Sequence, residues 1–177
     1  SKSIQSKNFT FSILQRLNEK GLKCCIIKGA AVASLYADPD CRISSDTDIL
    51  IDSADEQKIL GFLAQNGYTV EKRKKNDHHA KAYHPVGGLL EIHVRLYSVP
   101  TEKLILDGLT LYTEPWRKIE IEGSSFYTLG INDSLMYLTA HYIKHLVNEG
   151  GGVRQMMDLL LYIEKYKALI DFEKYND

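Results

Sequence analysis

Lys28-Gly29-Ala30-Ala31-Val32, followed by Asp46-Thr47-Asp48-Ile49-Leu50-Ile51-Asp52, is the pair of segments around which the rest of the chain is organised. On a β-strand successive side chains point to opposite faces, so Asp46 and Asp48 share one face while Thr47, Ile49 and Ile51 share the other. Two carboxylates on one face, separated by roughly 6 to 7 Å of strand rise, can converge on a pair of divalent ions about 3.5 to 4 Å apart. Bare, they repel each other, and a bound Mg²⁺ relieves the repulsion.

Upstream, Leu22 to Ile27 reads as a short buried strand that ends at Lys28-Gly29 and feeds a helix over Ala30 to Tyr36. A strand, glycine and helix in that order present backbone N–H groups where a phosphate can approach, and they also make an ordinary tight turn. Asp38-Pro39-Asp40 breaks the helix. Arg42 lies just ahead of the acidic pair, placed either to clamp a phosphate or to pair with Asp46 or Asp48.

Working outward, Phe9, Ile13, Leu14 and Leu17 make the apolar stripe of a first helix closed by Gly21. Ser53-Ala54-Asp55-Glu56 reads as a capping box, and Ile59, Phe62 and Leu63 give the following helix its buried face, with Gly67 at its end. Tyr68-Thr69-Val70 is a third strand, and Lys72-Arg73-Lys74-Lys75 is a solvated or substrate-facing loop. His78 to His84, a four-residue turn Pro85-Val86-Gly87-Gly88, and Leu89 to Tyr97 form a hairpin. Its second strand sets Leu90, Ile92 and Val94 on one face and Glu91, His93 and Arg95 on the other. A carboxylate two residues before a histidine suits a third metal or base position beside the Asp46 strand, or a solvent face.

Thr101 to Asp107 reads as a short helix, Lys118 to Leu129 as a hairpin turning at Gly123-Ser124, and Trp116 as packing on the sheet. Asn132-Asp133 starts a helix to about Asn148 that carries His141 and His145 on one face, a spacing for a structural pair, a cleft lining or zinc. Gly150-Gly151-Gly152 opens a final helix on which Arg154 and Asp158 can pair.

The 177 residues suit one domain with a helical appendage. With 44% hydrophobic and 25% charged residues and a formal net charge of -1, nothing suggests disorder and there is no global basic field for a long nucleic acid. No apolar run approaches the ~18 residues of a membrane span, and the N-terminus lacks the basic-then-apolar pattern of a signal peptide, so a soluble, cytoplasmic protein is expected. Cys24, Cys25 and Cys41 fit reduced thiols rather than a disulfide framework. Ser1-Lys2-Ser3 without a methionine reads as the start of an excerpt.

Taken in order, Lys28-Gly29, Tyr36, Arg42, Asp46-x-Asp48-x-Leu50 and Glu91-x-His93 resemble the uncharacterised nucleotidyltransferase family of the polymerase-β-like superfamily. The later His141, His145, Gly151-Gly152-Val153-Arg154 and Asp158 also resemble that family's helical segment. The resemblance implies an α/β (α+β) catalytic core over residues 1–130, a mixed sheet with its helices mainly on one face, and a C-terminal helical subdomain over 131–177. It implies a transferase that moves a nucleoside monophosphate from an NTP such as ATP to a small-molecule or protein hydroxyl, releasing pyrophosphate. Two Mg²⁺ ions, or Mn²⁺, are expected on Asp46, Asp48 and Glu91. Lys28, Gly29, Ala30 and Arg42 would meet the nucleotide phosphates, and His93, His141, His145, Arg154 and Asp158 would line the substrate cleft. One residue departs from the superfamily pattern: Ala30 stands where a serine or second glycine is usual. That departure favours the alternative of a non-catalytic nucleotide- or partner-binding regulatory module, which the intact Asp46, Asp48 and Glu91 oppose. A metallohydrolase built on His141, His145 and Asp158 is a third reading.

Overall fold

The computed structural model describes residues 2–42, 44, 46–74, 77–97, 114–150 and 152–173. Its elements are helix α1 (Lys2–Glu19), strand β1 (Cys24–Ile26), the short helix α2 (Ala30–Ala33), strand β2 (Asp46–Ile51) and helix α3 (Glu56–Gln65). Strands β3 (Thr69–Glu71), β4 (His79–His84), β5 (Gly88–His93), β6 (Arg117–Ile121) and β7 (Ser124–Thr128) follow, then helices α4 (Ile131–Glu149) and α5 (Val153–Tyr166). The short helix expected over Thr101 to Asp107 lies outside the described residues. Among the described residues no helix is long and apolar enough to cross a membrane.

The strands form one mixed seven-stranded sheet in the order β3-β4-β5-β2-β1-β7-β6. β2 lies inside it, antiparallel to β1 and parallel to β5, while β4 and β5 pair as a hairpin. Alternation decides the faces. Ile49, Ile51, Leu90 and Ile92 are buried with Leu14 and Leu17 of α1 and Ile59 and Leu63 of α3. Cys25, Ile27 and Leu129 join Tyr137 and Ala140 of α4 in a second cluster, with Trp116 packed against it. A third cluster ties Val32 of α2 to Leu135 and Leu138 of α4 and Tyr162 of α5.

Several boundaries differ from the sequence reading. α2 stops at Ala33, and the chain tightens into three-residue bonds from Leu35 N–H to Val32 and from Tyr36 N–H to Ala33. Pro39 then starts a 3₁₀ turn capped by the Asp38 side chain. Asp52, rather than Ser53, caps the turn before α3, its carboxylate accepting from Ala54 N–H at 2.9 Å. Glu56 does not close a capping box because Arg73, from the basic run, holds its carboxylate at 2.9 and 3.1 Å. The hairpin turns through Pro85 to Gly87, with His84 opposite Gly88, and β5 ends at His93. The β6–β7 turn is Glu122-Gly123, with φ of 51° and 75°, one residue earlier than expected. At the head of α4 Gly130 is the cap residue, and the distant Glu114 accepts from the N–H groups of Asn132 and Asp133 at 2.9 and 3.5 Å. A carboxylate there satisfies donors that the helix leaves free and meets the positive end of its dipole.

Candidate functional site

The parallel register of β2 and β5 sets Asp48 beside Glu91, and the antiparallel register of β4 and β5 sets Lys81 opposite Glu91 and His79 opposite His93. These polar side chains gather on one face because the alternate residues of the same strands are committed to the core beneath. A one-residue slip would bury the carboxylates in that core.

Asp48 is 1% exposed, and its Oδ1 takes both Lys28 Nζ and His93 Nε2, each at 3.1 Å. Its Oδ2 is buried without a hydrogen-bond partner. Burial by itself would push this carboxyl up, but the His93 hydrogen bond and the Lys28 ammonium outweigh it and hold Asp48 below its ordinary value. Glu91 is shifted the other way, raised by burial and by the neighbouring Asp48 charge. Its nearest cationic or imidazole nitrogens, on His93, His79 and Lys81, stand off at 3.8, 3.9 and 3.9 Å. Asp46 accepts a hydrogen bond from Ser44 Oγ at 2.9 Å. Among the described residues, Asp48, Glu91 and His93 offer ligand atoms within 4.8 Å of one another, as do His78, His79 and His93.

From the other side α4 brings Tyr137 and His141 near Asp48, with His145 edge-on against His141, the successive rings spaced 6.1 and 4.6 Å. Burial, with the nearby Lys28 charge, lowers His141 from 6.5 to about 3, so this ring is neutral. Burial lowers His78 and His79 to about 4.

At the turn after β1, Gly29 has φ +62° and ψ -108°. A Cβ there would find room, 3.8 Å from Ser44 Oγ, so it is the backbone conformation that demands glycine. Gly29 and Ala30 border a cleft of about 440 Å³ that Arg42, Ser44 and Asp46 also line, opposite Lys7 and Thr10 of α1.

Arg42 reaches neither Asp46 nor Asp48. Its guanidinium is held bidentately by Asp158, Nε to Oδ1 at 3.1 Å and Nη2 to Oδ2 at 2.6 Å, and Tyr36 OH donates to the same carboxylate at 2.7 Å. Asp158 is 3% exposed, so it pins α5 to the segment after α2 and is not an open cleft residue. Its oxygens accept from Arg42 and Tyr36, and Arg154 is exposed on α5. Among the described residues no metal-ligating group combines His141, His145 and Asp158.

The sequence reading missed Lys28 as Asp48's partner, and it missed His78 and His79. The second omission has a definite cause. A four-residue turn would set His79 opposite Val94, whereas the three-residue turn sets it opposite His93.

The family model described as uncharacterised nucleotidyltransferase matches residues 5–177. No curated protein matches the chain. Among solved structures, the solution structure of the antibiotic-resistance factor ANT(2'')-Ia is 13% identical, with 98% of this chain and 88% of that one covered at a TM-score of 0.67. The crystal structure of ANT(2'')-Ia in complex with adenylyl-2''-tobramycin is 12% identical, covering 91% and 89% at 0.64. The lincomycin-bound lincosamide antibiotic adenylyltransferase LnuA is 16% identical, covering 86% and 93% at 0.53. The fold is therefore that of the polymerase-β-like nucleotidyltransferases.

Proposed function

The chain belongs to the uncharacterised nucleotidyltransferase family, and on that premise we propose that it moves a nucleoside monophosphate from an NTP to the hydroxyl of a small acceptor. The observation that carries the reading is the pairing of Asp48 with Glu91 on adjacent parallel strands, with Asp48 Oδ2 buried and unpartnered beside them. A buried carboxylate oxygen without a donor costs about 1 to 3 kcal/mol or more, which a bound cation removes. The donor set fits a hard divalent ion, Mg²⁺ or Mn²⁺, which Asp48 and Glu91 would hold together with Asp46. When bound there, such an ion supplies charge neutralisation on the phosphates and acidifies an acceptor hydroxyl.

The chain's own groups account for the rest. The acceptor oxygen attacks the α-phosphorus in line, the bond to the bridging oxygen of pyrophosphate breaks, and the acceptor's proton passes to a Glu91 carboxylate oxygen. Lys28, held on Asp48 at 3.1 Å, exchanges that partner for a phosphate when the nucleotide enters. Gly29 and Ala30 offer backbone N–H groups to the same phosphates, whereas the Arg42 guanidinium is committed to Asp158. Placing the reactants contributes on the order of 7 to 11 kcal/mol to such a reaction.

The net charge of -1 offers little to a long nucleic acid, which supports a small acceptor. The adenylyl-2''-tobramycin and lincomycin of the structural neighbours suggest polyhydroxylated compounds as the first acceptors to screen.

The test is a thermal-shift panel of ATP, GTP, CTP and UTP with and without Mg²⁺, followed by a screen of hydroxylated acceptors for pyrophosphate release. A nucleotide at 100 times its Kd adds about 2.7 kcal/mol, a rise of roughly 5 to 10 °C for a chain of this size. A Mg²⁺-dependent rise with one preferred NTP is expected. A folded protein that responds to no NTP would overturn the proposal.

A further inference from the structure

We infer that His78, His79 and His93 form a site for a divalent transition ion of the zinc class, bound through imidazole nitrogens beside the carboxylates. His79 and His93 are direct neighbours across the β4–β5 ladder, so their side chains share a face. His78, just before β4, is anchored by its carbonyl, which accepts from Val94 N–H at 3.0 Å. The rings stand 4.5, 5.1 and 5.3 Å apart, and His79 Nδ1 lies 3.2 Å from His78 Nε2. One ligand nitrogen from each ring falls within 4.8 Å of the other two. Zinc at about 2.0 to 2.1 Å from each nitrogen needs separations of about 3.4 Å. Rotation of the partly exposed His78 and His79 closes that gap.

The independent sign is on His93, which is 3% exposed. Its Nε2 meets Asp48 Oδ1 at 3.1 Å, whereas its Nδ1 is buried with no partner among the described residues. In the neutral ring an Nε2 proton donated to Asp48 leaves a lone pair on Nδ1, which a Lewis acid or a donor would satisfy. A carboxylate on one ring nitrogen and a metal on the other is the arrangement that fixes the tautomer and orientation of metal-binding histidines. Nitrogen donors select zinc, cobalt, nickel and copper over magnesium, so this site differs in chemistry from the oxygen site that Asp48 and Glu91 offer.

The experiment strips the full chain with a chelator and titrates it with Co²⁺ and then Zn²⁺, following visible d–d absorption and competition against a chromophoric chelator. One equivalent of Co²⁺ is expected, displaced by Zn²⁺ and unmoved by excess Mg²⁺. His78→Ala and His79→Ala each weaken Zn²⁺ binding at least tenfold with unchanged circular dichroism, and Asp48→Asn weakens it about 10- to 100-fold by freeing the His93 ring. The inference falls if the folded chain takes up no Zn²⁺, if both histidine variants bind it as tightly as the parent, or if Mg²⁺ displaces it. It stands apart from the transferase reading, since Zn²⁺ uptake without any NTP response would remove that reading and leave this site.

Discussion

Lys28 Nζ rests 3.1 Å from Oδ1 of Asp48, so the cation that follows β1 neutralises the carboxylate at the centre of β2. The pair forms because β1 and β2 are antiparallel neighbours, with Ile27 N–H bonded to the Asp48 carbonyl at 3.2 Å. In that state Asp48 is half committed. His93 shares the same oxygen, and only Oδ2 is left for a ligand.

Asp48→Asn keeps the shape and removes the charge. Transfer to any acceptor should fall about 10²- to 10³-fold, corresponding to the several kcal/mol that a metal-held charge contributes. The Mg²⁺-dependent nucleotide shift should vanish with it. A radiolabel transfer assay beside a thermal melt reads both, and parental turnover in a folded variant would refute the assignment.

The turn after β1 can be tested in two directions. Gly29→Ala forces φ +62° on a residue with a Cβ and should cost at least about 1 to 2 kcal/mol in urea unfolding, with nucleotide affinity reduced. Ala30→Ser returns a hydroxyl to the cleft rim and should tighten nucleotide binding several-fold by calorimetry. Unchanged affinity in Ala30→Ser would mean that no phosphate rests on this turn.

His141 gives a pH signature. Its folded pKa is about 3 against 6.5 unfolded, so below pH 6.5 the unfolded chain takes up a proton that the folded one refuses. Stability is fully present above pH 6.5 and falls steadily as the pH drops towards 3. His141→Phe should flatten the decline in melting temperature between pH 7 and pH 4.5, and NMR of the parent should find His141 uncharged at pH 5. A ring that titrates near 6.5 would contradict the burial described.

Arg42 and Asp158 form an ion pair with side chains only 7% and 5% exposed. Removing either partner strands the other charge, so Asp158→Ala and Arg42→Ala should each lose about 3 to 5 kcal/mol. The double variant should lose less than their sum. Urea unfolding of the four proteins completes the cycle, and strict additivity would show the pair to be uncoupled.

The sequence revealed what depends on short periods. The two-residue alternation of Asp46-Thr47-Asp48-Ile49 and of Glu91-Ile92-His93 places the carboxylates, because one face of each strand must be buried. It could not reveal what depends on distance along the chain. Arg42 meets Asp158 across 116 residues, and Glu114 heads α4 from 18 residues before Asn132; neither pairing leaves a local pattern. The His79 to His93 pairing fell between these cases. A local hairpin fixes it, but it turns on whether Gly88 belongs to the turn or to the strand, and φ +74° at Gly88 is a backbone property that composition does not specify.

β2 is the fourth strand of seven, laddered on both sides. Amide hydrogens there should exchange only when much of the sheet opens, whereas α5, which lies outside the sheet and is held by side-chain contacts such as Arg42 and Tyr36 on Asp158, Tyr162 OH on the Ile131 carbonyl and one apolar cluster, should come away earlier. On gradual heating the chain should therefore shed its last helix while its acidic strand is still intact. A partly denatured sample would keep its affinity for cations after losing the wall that α5 helps to hold in place.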